Sequence, residues 1–447
     1  MFNLYKKPCL IAIALLFNSA TLSATENSSY TLQQAIDHAL VNNPNLQIMQ
    51  DRIAQAEAQL GIALANFYPS IKTSLSYTHS TNPSHAFGMI IAQRRLDFSP
   101  TTDFNNPGGV DNYRPEVTAR YSLFRGGQDY FNSKAAQLGI EAATLNKSAT
   151  RNQLIQTVSS TFYAYLASIE VDKVADRSIE AVKNELKQSR NRYEAGSTLK
   201  SDLLSLEVQL AEAQDTKIQT SNAIELTKTG LKSLLGLTAH EAFEINASKQ
   251  WIMPQANQSF EELLNQAISQ RPEMQTANKQ IEIAQQQLNA TKGAFLPKAD
   301  AYVSYGSDSK DLDYSTSRDN VTAGVMVELD IFSGFRDSKR IKKAEHQLAI
   351  AKKSAKQTQL MIESAVKSAH LKIIEALARI KVTASSVTAS EEALRLVNEQ
   401  RKAGVVTVTR YIEAEVARDK SHARNIAARF DALRAEAELN SAIGAWK

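Results

Sequence analysis

The strongest constraint on this chain is that one unit of it occurs twice. Thr31-Leu32-Gln33-Gln34-Ala35-Ile36 through Asn43-Pro44-Asn45-Leu46 recurs as Ser259-Phe260-Glu261-Glu262-Leu263-Leu264 through Arg271-Pro272-Glu273-Met274, an offset of 228. The register holds without a gap through Ile53 and Ile281, Leu60 and Leu288, and Phe67-Tyr68-Pro69 and Phe295-Leu296-Pro297. Further along, Leu123-Phe124-Arg125-Gly126 matches Ile331-Phe332-Ser333-Gly334, Ala195-Gly196 matches Ala403-Gly404, and Leu235-Gly236 matches Ile443-Gly444, now at 208. The difference of 20 falls between Tyr77 and Val117, so the first copy has a longer loop there. A loop that varies between copies belongs at a surface tip. Chance similarity between alanine-rich helices does not account for coincident prolines, glycines and aromatics.

Each copy reads as helix, strand, loop, strand, long helix, turn, helix. In the opening helix Leu32, Ala35, Ile36, Ala39 and Leu40 follow the helical period, and Thr31 is its N-cap. No proline occurs from Gly127 to about Glu194, and Leu154, Val158, Phe162, Tyr165 and Ile169 recur at steps of three and four. The second copy repeats that seam as Ile362, Val366, Ala369, Ile373 and Leu377. A helix of this span is roughly 100 Å long, beyond the diameter of a compact domain, and so sustained a seam indicates coiled-coil packing. Gly196 and Gly404 suit left-handed C-caps, after which the chain returns in a second helix ending near Gly236 and Gly444.

Four segments alternate strictly. Ile71, Thr73, Leu75 and Tyr77 oppose Lys72, Ser74, Ser76 and Thr78; Ala299, Ala301, Val303 and Tyr305 oppose Lys298, Asp300, Tyr302 and Ser304. Val117, Ala119, Tyr121 and Leu123 oppose Glu116, Thr118, Arg120 and Ser122, and Val325, Val327, Leu329 and Ile331 oppose Met326, Glu328 and Asp330. Strands are expected at about 69–79, 114–124, 297–306 and 321–332. Each has about the length of a tilted strand crossing an outer membrane. A half-buried soluble sheet alternates in the same way. The leader described next, together with charged residues on the second faces, favours a membrane barrel with a polar lumen. Four strands do not close a barrel, since about eight is the smallest common number, so in a membrane this chain must oligomerise.

Lys6 and Lys7, the apolar run Leu10 to Phe17 and the small-residue ending Leu22-Ser23-Ala24 read as a signal peptide over 1–24. The apolar run is too short for a transmembrane helix, which needs about 20 residues. The single cysteine, Cys9, lies within that leader, which fits export through an oxidising compartment and excludes a disulfide framework. With 16 glycines and 10 prolines in 447 residues, long uninterrupted elements are expected. A formal net charge of +4 gives no reason to expect a nucleic-acid partner.

Enzymatic signatures are missing. The glycine pairs Gly108-Gly109 and Gly126-Gly127 lack the lysine and setting of a phosphate loop, and there is no Gly-x-Ser-x-Gly elbow. His79, His85, His346, His370 and His422 are scattered, and Glu391-Glu392 read as a solvated face. Glu413 and Glu415 straddle different helix faces and suggest no metal site. No catalytic residue, metal or cofactor is expected.

In this order, the duplicated plan, the Asn43-Pro44 and Arg271-Pro272 turns, the Phe67-Tyr68-Pro69 and Phe295-Leu296-Pro297 motifs before the strands, and the glycine turns after them resemble the TolC-like outer-membrane channels of tripartite efflux pumps and type I secretion systems. The resemblance covers nearly the whole chain after the leader. It implies a mostly α protein with a transmembrane β-barrel: a homotrimer whose twelve strands form one barrel and whose helices continue as a coiled-coil α-barrel through the periplasm. It divides the chain into a first repeat at 25–238, an equatorial linker at 239–258 carrying Trp251, and a second repeat at 259–447. Implied partners are outer-membrane lipid, a periplasmic adaptor docking at the tips (Gly196, Ser197, Gly404, Val405) and an inner-membrane transporter.

In such channels, carboxylate and cationic residues just past the glycine turns constrict the tunnel. Asp202 matches the acidic position of the first copy. The second copy departs, with Arg410 where a lumen-ring aspartate stands and Glu413 for a second one; Arg401 and Val406 occupy the positions of the latch tyrosine and arginine. The resemblance thus points to Arg410 and Glu413, with Asp202 and Arg401, as the gate; solvated tip residues without a gating role are the other reading. For the whole chain the competing function is a coiled-coil structural or adhesive protein of the cell surface. Drug, metal and protein cargo all remain open, because a shared conduit takes its specificity from the pump.

Overall fold

A computed structural model describes residues 29–100, 103, 105–246 and 252–446; the leader and Trp251 lie outside the described residues. The duplication is visible in element lengths. Helices α1 (Leu32–Asn42) and α2 (Pro44–Ala65) have 11 and 22 residues, and their counterparts α6 (Phe260–Gln270) and α7 (Pro272–Lys292) have 11 and 21. The long helices α4 (Gln128–Glu194) and α8 (Arg336–Lys402) both have 67, and the returning helices α5 (Lys200–Leu235) and α9 (Val408–Ala442) have 36 and 35.

The opening segment of each copy is two helices where one was expected. Thr31 and Ser259 start α1 and α6 with capping boxes to Gln34 and Glu262. Pro44 and Pro272 then push the preceding residue out of the helical region, so Asn43 (φ −68°, ψ 123°) and Arg271 (φ −66°, ψ 125°) end one helix and begin the next.

The predicted seams are buried: Leu154, Val158, Phe162 and Tyr165 on α4, and Ile362, Val366, Ala369 and Ile373 on α8. The α4 seam meets Leu231 and Leu235 of α5; on α8, Ile362, Val366 and Ala369 meet Leu263 and Ala267 of α6 and Ala442 of α9, while Ile373 meets Ala432 and Ala435 of α9. At the tips, Ser197 N donates to Arg192 O and Gly196 N to Tyr193 O, and Val405 N donates to Gln400 O and Gly404 N to Arg401 O. Both are Schellman turns, with Gly196 at φ 73° and Gly404 at φ 76°, in the region that only glycine enters freely.

At the opposite end lies a four-stranded antiparallel sheet in the order β2 (Ser70–Ser80), β3 (Val110–Arg125), β5 (Lys298–Ser307), β6 (Asp319–Glu328). Two extents differ from expectation. β3 starts earlier, at Val110, because it pairs with β2 as far as Ser80. β6 stops at Glu328, opposite the first residue of β5, so Leu329 and Ile331 fall outside the ladder and the chain turns through Gly334 and Phe335, both at positive φ. The longer loop of the first copy contains an unexpected helix, α3 (Pro83–Ala92). Within the stretch expected as an equatorial linker, β4 (Glu244–Ile245) pairs in parallel with β1 (Ser29–Tyr30) and ties the joint between copies to the start of the first.

Candidate functional site

Register turns the alternation into two faces that span all four strands. Ile71, Ala119, Val303 and Ala323 form one transverse row, and Thr73, Val117, Tyr305 and Val321 the next. The other face carries the rows Lys72, Thr118, Ser304, Thr322 and Ser70, Arg120, Tyr302, Gly324. The apolar face is uncovered within the chain, with Ile71 76% and Val325 66% exposed. Aromatics flank it. Tyr77 and Tyr113 stand 4.9 Å apart at the far end, and the Tyr305 hydroxyl is 3.0 Å from that of Tyr314 in the loop beyond β5. Phe67, Tyr68, Phe295, Phe332 and Phe335 are exposed at the end nearer the helices. The residues from Tyr68 to Tyr77 cover about 30 Å along a strand and, at a tilt of ~40°, roughly 23 Å of depth, close to the ~25 Å apolar band of outer-membrane barrels. The outer edges of β2 and β6 are unpaired within the chain.

Where helices join strands, two glycines touch. A Cβ on Gly126 would lie 2.1 Å from Gly293 O, so the end of β3 and the end of α7 meet backbone to backbone.

The helical tip holds the charged residues expected at a constriction, but it divides them. Arg401, in the last turn of α8, points inward, where its Nε donates to Glu185 Oε1 at 3.1 Å and its Nη2 to Ser189 Oγ at 3.2 Å. The ion pair is only 7% exposed on either side and links α8 of the second copy to α4 of the first. Arg410 and Glu413 pair with each other at 3.1 Å on the exposed surface of α9. Asp202, in the first turn of α5, accepts from Thr198 Oγ1 at 3.2 Å. Among the described residues, neither Asp202 nor Arg401 pairs with Arg410 or Glu413. At the turns expected to dock an adaptor, Gly196, Ser197, Gly404 and Val405 are all exposed, Val405 by 74%.

Sequence reasoning missed the partners of Arg401. Glu185 and Ser189 continue the buried stripe of Ala175 and Val182 at helical spacing, and a polar residue falling on such a stripe was the available signal. Just behind the tip, Glu415 is 1% exposed and receives Arg418, which also binds Asp419 at 2.6 Å. Burial, ahead of the opposing pull of Arg418, lifts the Glu415 carboxyl above the ordinary glutamate range. The same burial pushes the Tyr411 phenol up. His422 and Glu391, expected to be an isolated histidine and a solvated face, are 3.0 Å apart and join α9 to α8.

The profile of the outer membrane efflux protein family matches residues 35–237 and 263–445, one stretch in each copy. The chain is 22% identical over 419 residues to the outer membrane efflux protein BepC of Brucella suis, covering 91% of this chain and 83% of that protein. It is 20% identical over 262 residues to the alkaline protease secretion protein AprF of Pseudomonas aeruginosa, covering 56% of this chain and 53% of that one. Among solved structures, the Campylobacter jejuni CmeC outer membrane channel superposes with a TM-score of 0.79 at 17% identity, covering 99% of this chain and 94% of that one.

Proposed function

The chain belongs to the outer membrane efflux protein family, and from that footing we propose that it works as a homotrimeric conduit gated at its helical tips. It is an outer-membrane exit channel for efflux or type I secretion. The cell-surface adhesin reading is set aside, because the family is one of channels.

The observation that carries the trimer is the sheet: an apolar face running unbroken across four strands whose two outer edges lack partners. Unpaired backbone edges are not tolerated in lipid. Three chains joined β2 to β6 would bring twelve strands into one closed barrel, with the apolar rows towards lipid and Lys72, Arg120 and Glu116 towards the lumen. Helices of ~100 Å would continue the conduit into the periplasm.

In this reading the ion pair of Arg401 and Glu185 is the closing latch, because it ties the two hairpins of one chain together at the tip. Arg410, Glu413 and Asp202 would then repeat three times around the axis, where a ring of charge sets ion selectivity. The exposed turns at Gly196 and Gly404 are where the helical hairpin of a periplasmic adaptor would dock, linking the channel to an inner-membrane transporter that supplies the energy.

The test is the mass of the purified protein in detergent, together with its heat-modifiable migration and its behaviour in a planar bilayer. A trimer that inserts and conducts is expected. A monomer that stays soluble without detergent would contradict the proposal.

A further inference from the structure

The longer loop of the first copy has no counterpart in the second, and its helix α3 sits on a definite face of the sheet. Val110 lies opposite Ser80, in the last pair of the β2–β3 ladder, and belongs to the polar face with Asn112 and Arg114. That residue is buried against Ala86 and Met89 of α3. The α3 helix therefore rests on the side of the sheet opposite the lipid-facing rows.

A buried polar clamp fixes it there. Gln93, the C-cap of α3 and 1% exposed, donates from Nε2 to Asp111 O at 2.7 Å and to Asn112 Oδ1 at 2.9 Å. Asn112 Nδ2 donates to Asp308 Oδ1 at 2.7 Å. Asp308, with its side chain 4% exposed, takes Arg114 Nη1 at 2.6 Å and Asn320 Nδ2 at 2.9 Å. The clamp thus reaches from α3 across β3 to β5 and β6. Each buried polar group in this chain of contacts has a partner, which favours one fixed position of the helix over a loose loop.

We propose that α3 is an inward-folded exit plug, which sets the size limit for solutes at the outer mouth of the channel. This rests on the trimeric barrel proposed above. Twelve strands about 4.8 Å apart and tilted by ~40° close a barrel roughly 24 Å across between backbones. A helix is about 10–12 Å wide with its side chains, so three copies lying on the inner wall leave little open bore. His85, Gly88 and Ile91 are exposed on α3 and face the remaining space. As built, the mouth passes small solutes and holds back large ones until α3 is displaced.

Cysteine accessibility tests this in the full-length trimer. Ile91→Cys and the lipid-face control Ile71→Cys are treated from the outer side with a charged methanethiosulfonate reagent during single-channel recording. Loss of current at Ile91→Cys, restored by reductant and absent at Ile71→Cys, is expected. Full labelling of Ile91→Cys with unchanged current would overturn the plug. In a second variant a short Gly-Ser linker replaces residues 83–92, and the polymer size excluded from the outer mouth should rise; an unchanged limit would also overturn it. Failure of the unmodified protein to form a trimer would instead strike the barrel reading beneath, so the two are distinguished by mass before recording begins.

Discussion

Arg401 Nε donates to Glu185 Oε1 across 3.1 Å, and the two side chains, 216 positions apart in sequence, are each only 7% exposed. This pair joins the end of one 67-residue helix to another in the opposite copy. Removing one partner leaves an unpaired buried charge, which costs about 3–5 kcal/mol, whereas replacing both with apolar residues is often neutral. Thermal unfolding should therefore show Arg401→Ala and Glu185→Ala each strongly destabilised locally, with Arg401→Met/Glu185→Leu close to wild type. Additive losses in the double variant would show that the two residues do not act as a pair.

Glu415 supplies a pH dependence with a definite sign. Its folded carboxyl binds a proton more tightly than the unfolded one, because burial raises its pKa. Stability from this group therefore falls as pH rises from the ordinary glutamate range up through the raised folded value. Glu415→Gln, which keeps an acceptor for Arg418, removes that loss. Its stability relative to wild type should improve as pH rises across this window, measured by denaturation at a series of pH values. A constant difference would mean that Glu415 does not titrate with folding.

The two faces of the sheet should respond oppositely to charge. Val303→Arg places a cation in the lipid-facing rows and should cost about 2–4 kcal/mol near the membrane midplane, while Ser304→Arg points into the lumen and should be tolerated. The yield of heat-modifiable trimer in outer membranes reads the difference. Equal yields would contradict the assignment of the faces.

Arg410 and Glu413 neutralise one another on an exposed helix face, so their pairing adds little stability. Their effect should instead appear in ion selectivity. Arg410→Ala leaves three uncompensated carboxylates at the tip and should shift reversal potentials towards cation preference, and Glu413→Ala should shift them the other way. Unchanged reversal potentials in both variants would remove these residues from the constriction.

Much of this architecture is legible in the sequence, because each device is local. Pro44 and Pro272 mark the same helix start in both copies, Gly196 and Gly404 mark the same turn, and the seam through Leu154, Val158 and Tyr165 repeats in the second copy as Ile362, Val366 and Ile373. What was not legible depends on chain segments that meet only after folding. The resemblance puts Arg401 at a latch position, but its partner Glu185 lies in the other copy, 216 residues away. The resemblance assigns Arg410 to the ring and Arg401 to a latch position; the turn at Gly404 puts them on different helices, Arg401 buried at the end of α8 and Arg410 exposed on α9. Helix α3 escaped notice because its apolar run, from Ala86 to Ala92, is short and lies in a stretch with no counterpart to compare.

Single-channel conductance of Arg401→Ala beside wild type, both as trimers in a planar bilayer, tests the gated conduit most directly. Wild type should show a small, flickering conductance, and Arg401→Ala a larger and sustained one, with Glu185→Ala matching it. Trimers of all three that conduct identically would contradict the latch, and with it the account of how this channel is held closed.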